Sequence, residues 1–198
     1  MNPQLGWLTV LFAAVFTNNI LLTNYLGMCS FLAVSREVKT SLGLGAAVVF
    51  VMTATSVLNW IVYYRLLVPL HMEAFRFIVF IIVIAAFVQV VELVIERVSE
   101  TLYAALGIFL PLITVNCAIL GVSLFMVIRQ YTLAQAFGYG LGSGLGWLAA
   151  ILAMAGIRQK MAARSRVPRG LEGAGITLIV AGIMALAFMG FNGMVNLN

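Results

Sequence analysis

Apolar residues along this chain come in long unbroken runs, and the charged residues fall in short gaps between them. A bilayer core about 30 Å thick takes about 20 residues of helix. Six runs reach that length: Leu5 to about Leu26, Leu42 to Tyr63, Phe77 to Ile95, Leu102 to Ile128, Phe137 to Ile157, and Gly175 to Val195. Strands of a membrane barrel would be about 10 residues long and would alternate strictly. No such alternation is present, so the pattern predicts an all-α integral membrane protein with six transmembrane helices in a single domain, residues 1–198. The first run has no basic segment before it and no cleavage site after it, which predicts a structural span rather than a signal peptide.

Composition closes off the soluble alternatives. Of 198 residues, 64% are hydrophobic and 9% charged, against about half and about 25% in a soluble domain. The mean hydropathy is +1.13. A core cannot hide that excess, because a domain of this size leaves much of its surface to water. Ordinary soluble enzymes and disordered regulators are excluded. The net charge of +5 does not suggest nucleic-acid binding, since the basic residues sit in short loops.

Those loops set an orientation. Loops one, three and five carry Arg36, Lys39, Arg97, Arg158, Lys160, Arg164, Arg166 and Arg169, eight of the eleven Lys and Arg residues. Loops two and four carry Arg65, Arg76 and Arg129. The positive-inside rule places the odd loops in the cytoplasm and both termini on the other face.

The chain also repeats itself. A shift of 88 residues brings Cys29 onto Cys117, Ile20 onto Ile108, Leu22 onto Leu110, Leu32 onto Leu120, Val34 onto Val122 and Ser35 onto Ser123. A glycine cluster follows in each half: Gly43 and Gly45, then the run from Gly138 to Gly146. Three spans per half make the halves enter the membrane from opposite sides. This is the inverted-repeat plan of many transport proteins, whose sites lie near the midplane. The halves run over about 1–98 and 99–198.

Both cysteine-bearing runs are too long for one helix. Leu5 to Val34 is thirty residues without a charge, about 45 Å as a continuous helix. Leu102 to Ile128 has the same excess; Gly27 sits two residues before Cys29, and Pro111 six residues before Cys117. Proline removes a backbone donor and kinks or breaks a helix. Discontinuous helices are tolerated at membrane depth where protein buries them. Cys29 and Cys117 are therefore expected at helix breaks, inside the membrane and close together.

Such a pair has three readings: a disulfide, two small hydrophobes, or half of a metal site. Thiolates suit iron or zinc, and iron–sulfur clusters normally take four cysteines. Two per chain would leave a second chain to complete a cluster. Asn18, Asn19, Asn24 and Asn116 lie in the same apolar runs, with Thr17, Thr23 and Thr114 close by. Buried amides need partners, so these residues either brace the breaks or line a route for a hard cation. Glu92 and Glu96 sit one turn apart at the cytoplasmic end of the third span. His71 lies in a charged outer loop. The run from Gly138 to Gly146 lacks the Lys-Ser/Thr of a phosphate loop and reads as close helix packing. The ten methionines form no copper-type cluster.

The segments around the cysteines carry a family resemblance. Leu26 to Ser35, Leu-Gly-Met-Cys-Ser-Phe-Leu-Ala-Val-Ser, resembles the first-repeat signature of the E subunits of bacterial Na⁺-translocating NADH:quinone oxidoreductases. Leu106 to Phe125, with Thr-Val-Asn-Cys-Ala-Ile-Leu-Gly-Val-Ser at Thr114 to Ser123, resembles the second. Tyr139 to Trp147, Ala155 to Arg158 and Ala187 to Phe191 also fit, so the likeness covers essentially the whole chain. A sister family, the A subunits of the Rnf-type ferredoxin:NAD⁺ oxidoreductases, has Cys-Pro at the first motif and Thr-Thr-Asn-Cys at the second. Cys29-Ser30 and Thr114-Val115-Asn116-Cys117 favour the E-subunit family. One departure is Ala162 to Arg169, where the family usually has an acidic residue before the Val-Pro.

The resemblance implies a role. The complex passes electrons from NADH through flavins and iron–sulfur centres to quinone and exports Na⁺ across the bacterial inner membrane. Its D and E subunits form a pseudo-symmetric pair of opposite orientation, and each supplies two cysteines to one [2Fe–2S] cluster. Here those ligands would be Cys29 and Cys117. The A, B, C and F subunits would complete the assembly, with NADH, flavins and quinone bound on other subunits. The chain would not be catalytic alone. The competing readings are a small inverted-repeat secondary transporter, which would move solute without its cysteines, and a structural scaffold.

Overall fold

The computed structural model describes residues 6–98, 110–164 and 173–191, and every regular element among them is helical. The helices are α1 (Trp7–Val15), α2 (Met28–Val34), α3 (Val38–Val62), α4 (Arg76–Val98), α5 (Leu110–Thr114), α6 (Cys117–Ile128), α7 (Leu133–Arg164) and α8 (Ala174–Met189). Helix α3 runs on through one wide turn at Tyr63–Leu67, and a tight turn at Glu73–Phe75 leads into α4. Among the described residues four segments are long and apolar enough to cross a membrane: Val38–Leu67, Glu73–Arg97, Pro111–Ile128 and Leu133–Ala163. Ala174–Met189 is a shorter apolar helix.

The second, third and fifth expected spans correspond to α3, α4 and α7. The other three differ. The first is helical only from Trp7 to Val15. After it the backbone turns, because the Asn19 side chain takes over local donors: its Oδ1 accepts from the amides of Leu21 at 3.0 Å and Leu22 at 3.2 Å. Left-handed residues follow at Tyr25 and Gly27. Of the fourth expected span, residues 102–109 lie outside the described ones, and the rest forms two helices, α5 and α6, parted at Val115 and Asn116. Pro111 is not the break. It lies within the described part of α5, and the chain parts four residues later. In the sixth, α8 ends at Met189, and the last residues of that expected span lie outside the described ones. So do Ile108, Glu100, Arg166 and Arg169.

Helix α7 is the centre of the bundle, and its glycines explain how. A Cβ at Gly138, Gly142 or Gly146 would press on the carbonyls of Trp7, Leu11 and Val15 respectively. Each pair advances four residues together, so α1 and α7 run parallel and nearly backbone to backbone. A Cβ at Gly140 or Gly144 would meet Ser56 or Val49, and one at Gly45 would meet Leu148. Those pairs advance in opposite senses, so α3 is antiparallel to α7. Small residues allow this close approach, the usual device for packing helices in lipid. The glycine run thus serves two neighbours on two faces of one helix.

The half-helices α2 and α6 leave toward opposite ends of α7. At the C-terminal end of α2, Ser35 Oγ accepts from Arg158 Nη1 at 3.0 Å, near the end of α7. Beyond α6, the Tyr131 carbonyl accepts from Trp60 Nε1 at 2.8 Å, at the other end of the bundle. Along the way Asn59 Nδ2 donates to Ser123 Oγ at 2.8 Å. The core around these helices holds Trp147, Tyr139, Phe31 and Phe80, all buried. Apolar side chains also face outward: Phe77, Ile78, Ile82 and Leu93 on α4, and Leu178, Ile183 and Leu186 on α8. An exposed apolar band of this extent suits lipid or a partner rather than water.

Candidate functional site

Each break is built by a polar residue that closes the backbone around it. In the first, Asn19 is fully buried, and its Nδ2 donates to the carbonyls of Gly146 at 2.9 Å and Val15 at 3.2 Å. Gly27 then starts α2 at φ +85, a left-handed backbone that costs glycine little and other L residues more. Its carbonyl accepts from Ser30 Oγ at 3.1 Å. In the second break, Asn116 caps α6, its Oδ1 accepting from the Ala118 amide at 3.0 Å. Such a cap supplies an acceptor to one of the free amides of a helix start. Bracing is therefore the role of Asn19 and Asn116. Asn18 and Asn24 are partly buried, and the buried Thr17 Oγ1 has no hydrogen-bond partner among the described residues.

The two breaks meet. Asn116 Nδ2 donates to Ser30 Oγ at 3.3 Å, crossing from one half of the chain to the other. The amide of Gly27 donates to Cys117 Sγ at 2.9 Å. Cys29, two residues beyond Gly27, is the second residue of α2, and Cys117 is the first of α6. Both cysteines thus stand in the first turns of half-helices that diverge from one point. That point lies beside Gly146 and Trp147, close to the middle of Leu133–Ala163.

Neither thiol is enclosed by the chain. Both are free and exposed on its surface, while Asn116 and Ser30 beside them are buried. This suits a ligand pair that is completed from outside. Among the described residues no three His, Cys, Asp or Glu side chains come together, so these residues offer two soft donors and no full metal set. A neutral amide donating to one sulfur matches the way proteins support cluster thiolates. Iron with further ligands from another chain fits this donor set; a closed site within the described residues does not.

The other residues noted in the sequence take ordinary places. His71 is exposed, and Glu92 accepts from Gln89 Nε2 at 3.3 Å near the end of α4. A cavity of about 540 Å³ between α3 and α4 is lined by apolar residues such as Phe50, Val51, Val90 and Val94 and offers no reactive group. Sequence reasoning missed three participants: the Gly27 amide, Ser30 and Trp147. Only the Gly-x-Cys spacing of Gly27 and Cys29 hinted at the first.

A helical bundle with several membrane-length helices, in which two thiols stand where two helix breaks meet, defines an integral membrane protein. The chain belongs to the Rnf-Nqr family: residues 7–195 match the family model described as Rnf-Nqr subunit, membrane protein. It is 50% identical over 197 residues to the E subunit of the Na⁺-translocating NADH-quinone reductase of Psychromonas ingrahamii, covering 94% of this chain and 97% of that one. It is 51% identical over 193 residues to the protein of the same name in Aeromonas salmonicida, again covering 94% and 97%.

Proposed function

We propose that this chain is the E subunit of a Na⁺-translocating NADH:quinone oxidoreductase, and that Cys29 and Cys117 provide two ligands of an iron centre within the membrane. The likeness to relatives of that name over nearly the full chain supports the first part. The single observation behind the second is the meeting of the two breaks, with Gly27 bonded to Cys117 and Asn116 to Ser30. The remaining ligands come from the homologous D subunit, in a [2Fe–2S] cluster shared between the two. The A, B, C and F subunits complete the assembly and hold the NADH, flavin and quinone sites.

Cys29 and Cys117 would hold the iron as thiolates, and the chemistry it would supply there is one-electron transfer. The chain's own part is to hold two sulfurs within the membrane and leave them open to the partner. Two inverted three-helix halves, six spans in all, account for the opposite courses of α2 and α6 from one point. Both termini then lie on the periplasmic face of the inner membrane, consistent with the excess of Lys and Arg in the odd loops.

The test uses the purified complex. Cys29→Ala and Cys117→Ala are each expected to assemble, to lose the iron of this centre by metal analysis and EPR, and to lose quinone reduction. Normal iron content and normal quinone reduction in both variants would overturn the proposal.

A further inference from the structure

Resting on the iron-centre reading above, we propose that Gly27 is a positioning residue for the centre. Its backbone N–H, reaching across from the other half of the chain, holds Cys117 Sγ and withdraws charge from that sulfur, so the two cysteines are unequal ligands.

The bond is specific to this backbone. Gly27 donates to Cys117 Sγ at 2.9 Å from a left-handed conformation, φ +85. A Cβ at this position would lie 2.7 Å from Trp147 Nε1, 3.1 Å from Ala118 Cβ and 3.2 Å from Asn116 Oδ1. Glycine is thus required twice, by the dihedral and by the space. Trp147 is fully buried, and its Nε1 has no partner among the described residues, so the indole acts as the floor on which the turn rests and by which its amide is aimed.

The repeat makes the asymmetry plain. In the register that superposes the cysteines, Gly27 falls on Val115. The Val115 amide does not copy the Gly27 bond; it donates to the Pro111 carbonyl at 3.3 Å within its own half-helix. The sequences of the halves match around the cysteines, but this hydrogen bond belongs to one half. Hydrogen bonds to cluster sulfurs are one of the means by which proteins set reduction potential. An amide proton shared with a thiolate stabilises the reduced state and raises the potential.

The experiment uses the whole complex labelled with [¹⁵N]glycine, with the centre reduced and read by pulsed EPR, beside a redox titration. The expected result is a glycine ¹⁵N coupling to the centre that disappears in Gly27→Ala, together with a lower midpoint potential. Where Gly27→Ala alone binds no iron, the double variant Gly27→Ala/Trp147→Phe, which removes the nitrogen that the new Cβ would meet, is read instead. Loss of the coupling with the iron retained and the potential lowered, in the single or the double variant, supports the proposal. Absence of any glycine coupling in the unsubstituted complex, or its persistence in the variant, overturns it. An unsubstituted complex with no iron at this centre refutes the iron-centre reading itself, an outcome that metal analysis separates from the others.

Discussion

Arg158 holds Ser35 across the length of the chain: its Nη1 donates to Ser35 Oγ at 3.0 Å and to the Leu32 carbonyl at 3.4 Å. The guanidinium so satisfies acceptors at the C-terminal end of α2, where helix carbonyls lack intrahelical partners. Arg158 is only partly buried, so water screens the interaction. Its loss in Arg158→Ala is expected to cost about 1 kcal/mol, below the full range for hydrogen bonds to a charged group. That corresponds to a fall of about 2–4 °C in the thermal midpoint for a chain of this size. Arg158→Lys keeps the charge but not the fork and should recover only part. A midpoint unchanged in Arg158→Ala would show that the contact adds nothing.

The same bond ties the α2–α3 connection to the far end of α7, while Trp60 and Tyr131 meet at the opposite end. Impermeant maleimide on intact cells checks which end faces out. In a background lacking Cys29 and Cys117, Glu37→Cys and Gln159→Cys should stay unlabelled. Glu73→Cys and Gln130→Cys should react. All four positions are exposed. Labelling of Glu37→Cys and Gln130→Cys from the same side is incompatible with the arrangement.

Much of this was legible before any coordinates. The long charge-free runs pointed to cysteine segments that exceed one helix, and the described chain breaks before each cysteine. The glycine run announced close packing. What the one-dimensional pattern lacked was the partner of each feature. Asn19, rather than a glycine or proline, ends the first half-helix, because its side chain captures two amides just beyond it. Pro111 drew attention to the wrong place, since the described chain parts at Val115 and Asn116 instead. The Gly27 bond to Cys117 spans ninety residues, and no local signal encodes an amide aimed at a distant sulfur. The exposure of both thiols was hidden for a similar reason: it depends on what the folded chain leaves uncovered.

Asn116 both caps α6 and joins the breaks. Asn116→Ala removes both functions and is expected to cost about 1 kcal/mol for the cap alone. With Cys117 an iron ligand as proposed, loosening the turn that Asn116 braces beside it should lower iron affinity, by about 10–100-fold if it acts as an outer-shell partner does. Asn116→Ser retains a capping oxygen but is too short to reach Ser30. It should keep most of the stability and lose much of the iron. Chelator competition on the purified complex reads the affinity, and thermal unfolding reads the cap. Equal behaviour of the two variants in both measurements would show that the link to Ser30 has no role.

Two glycines on α7 make opposite predictions from one chemical change. At Gly142 an added Cβ would sit 2.5 Å from the Leu11 carbonyl oxygen and 3.0 Å from Ala14 Cβ. A backbone carbonyl cannot rotate away as a side chain can, so α1 must shift as a unit. Overpacking of this kind costs about 1–3 kcal/mol, which exceeds the gain of about 1 kcal/mol from replacing a helical glycine by alanine. At Gly156 nothing lies within 4 Å of the new atom, so only the propensity gain of about 1 kcal/mol remains. Gly142→Ala should therefore lower the thermal midpoint of the complex and Gly156→Ala should raise it slightly. The same sign in both would mean that α1 does not rest on the glycine face of α7, and the parallel α1–α7 contact that places the first break beside Trp147 would fall with it.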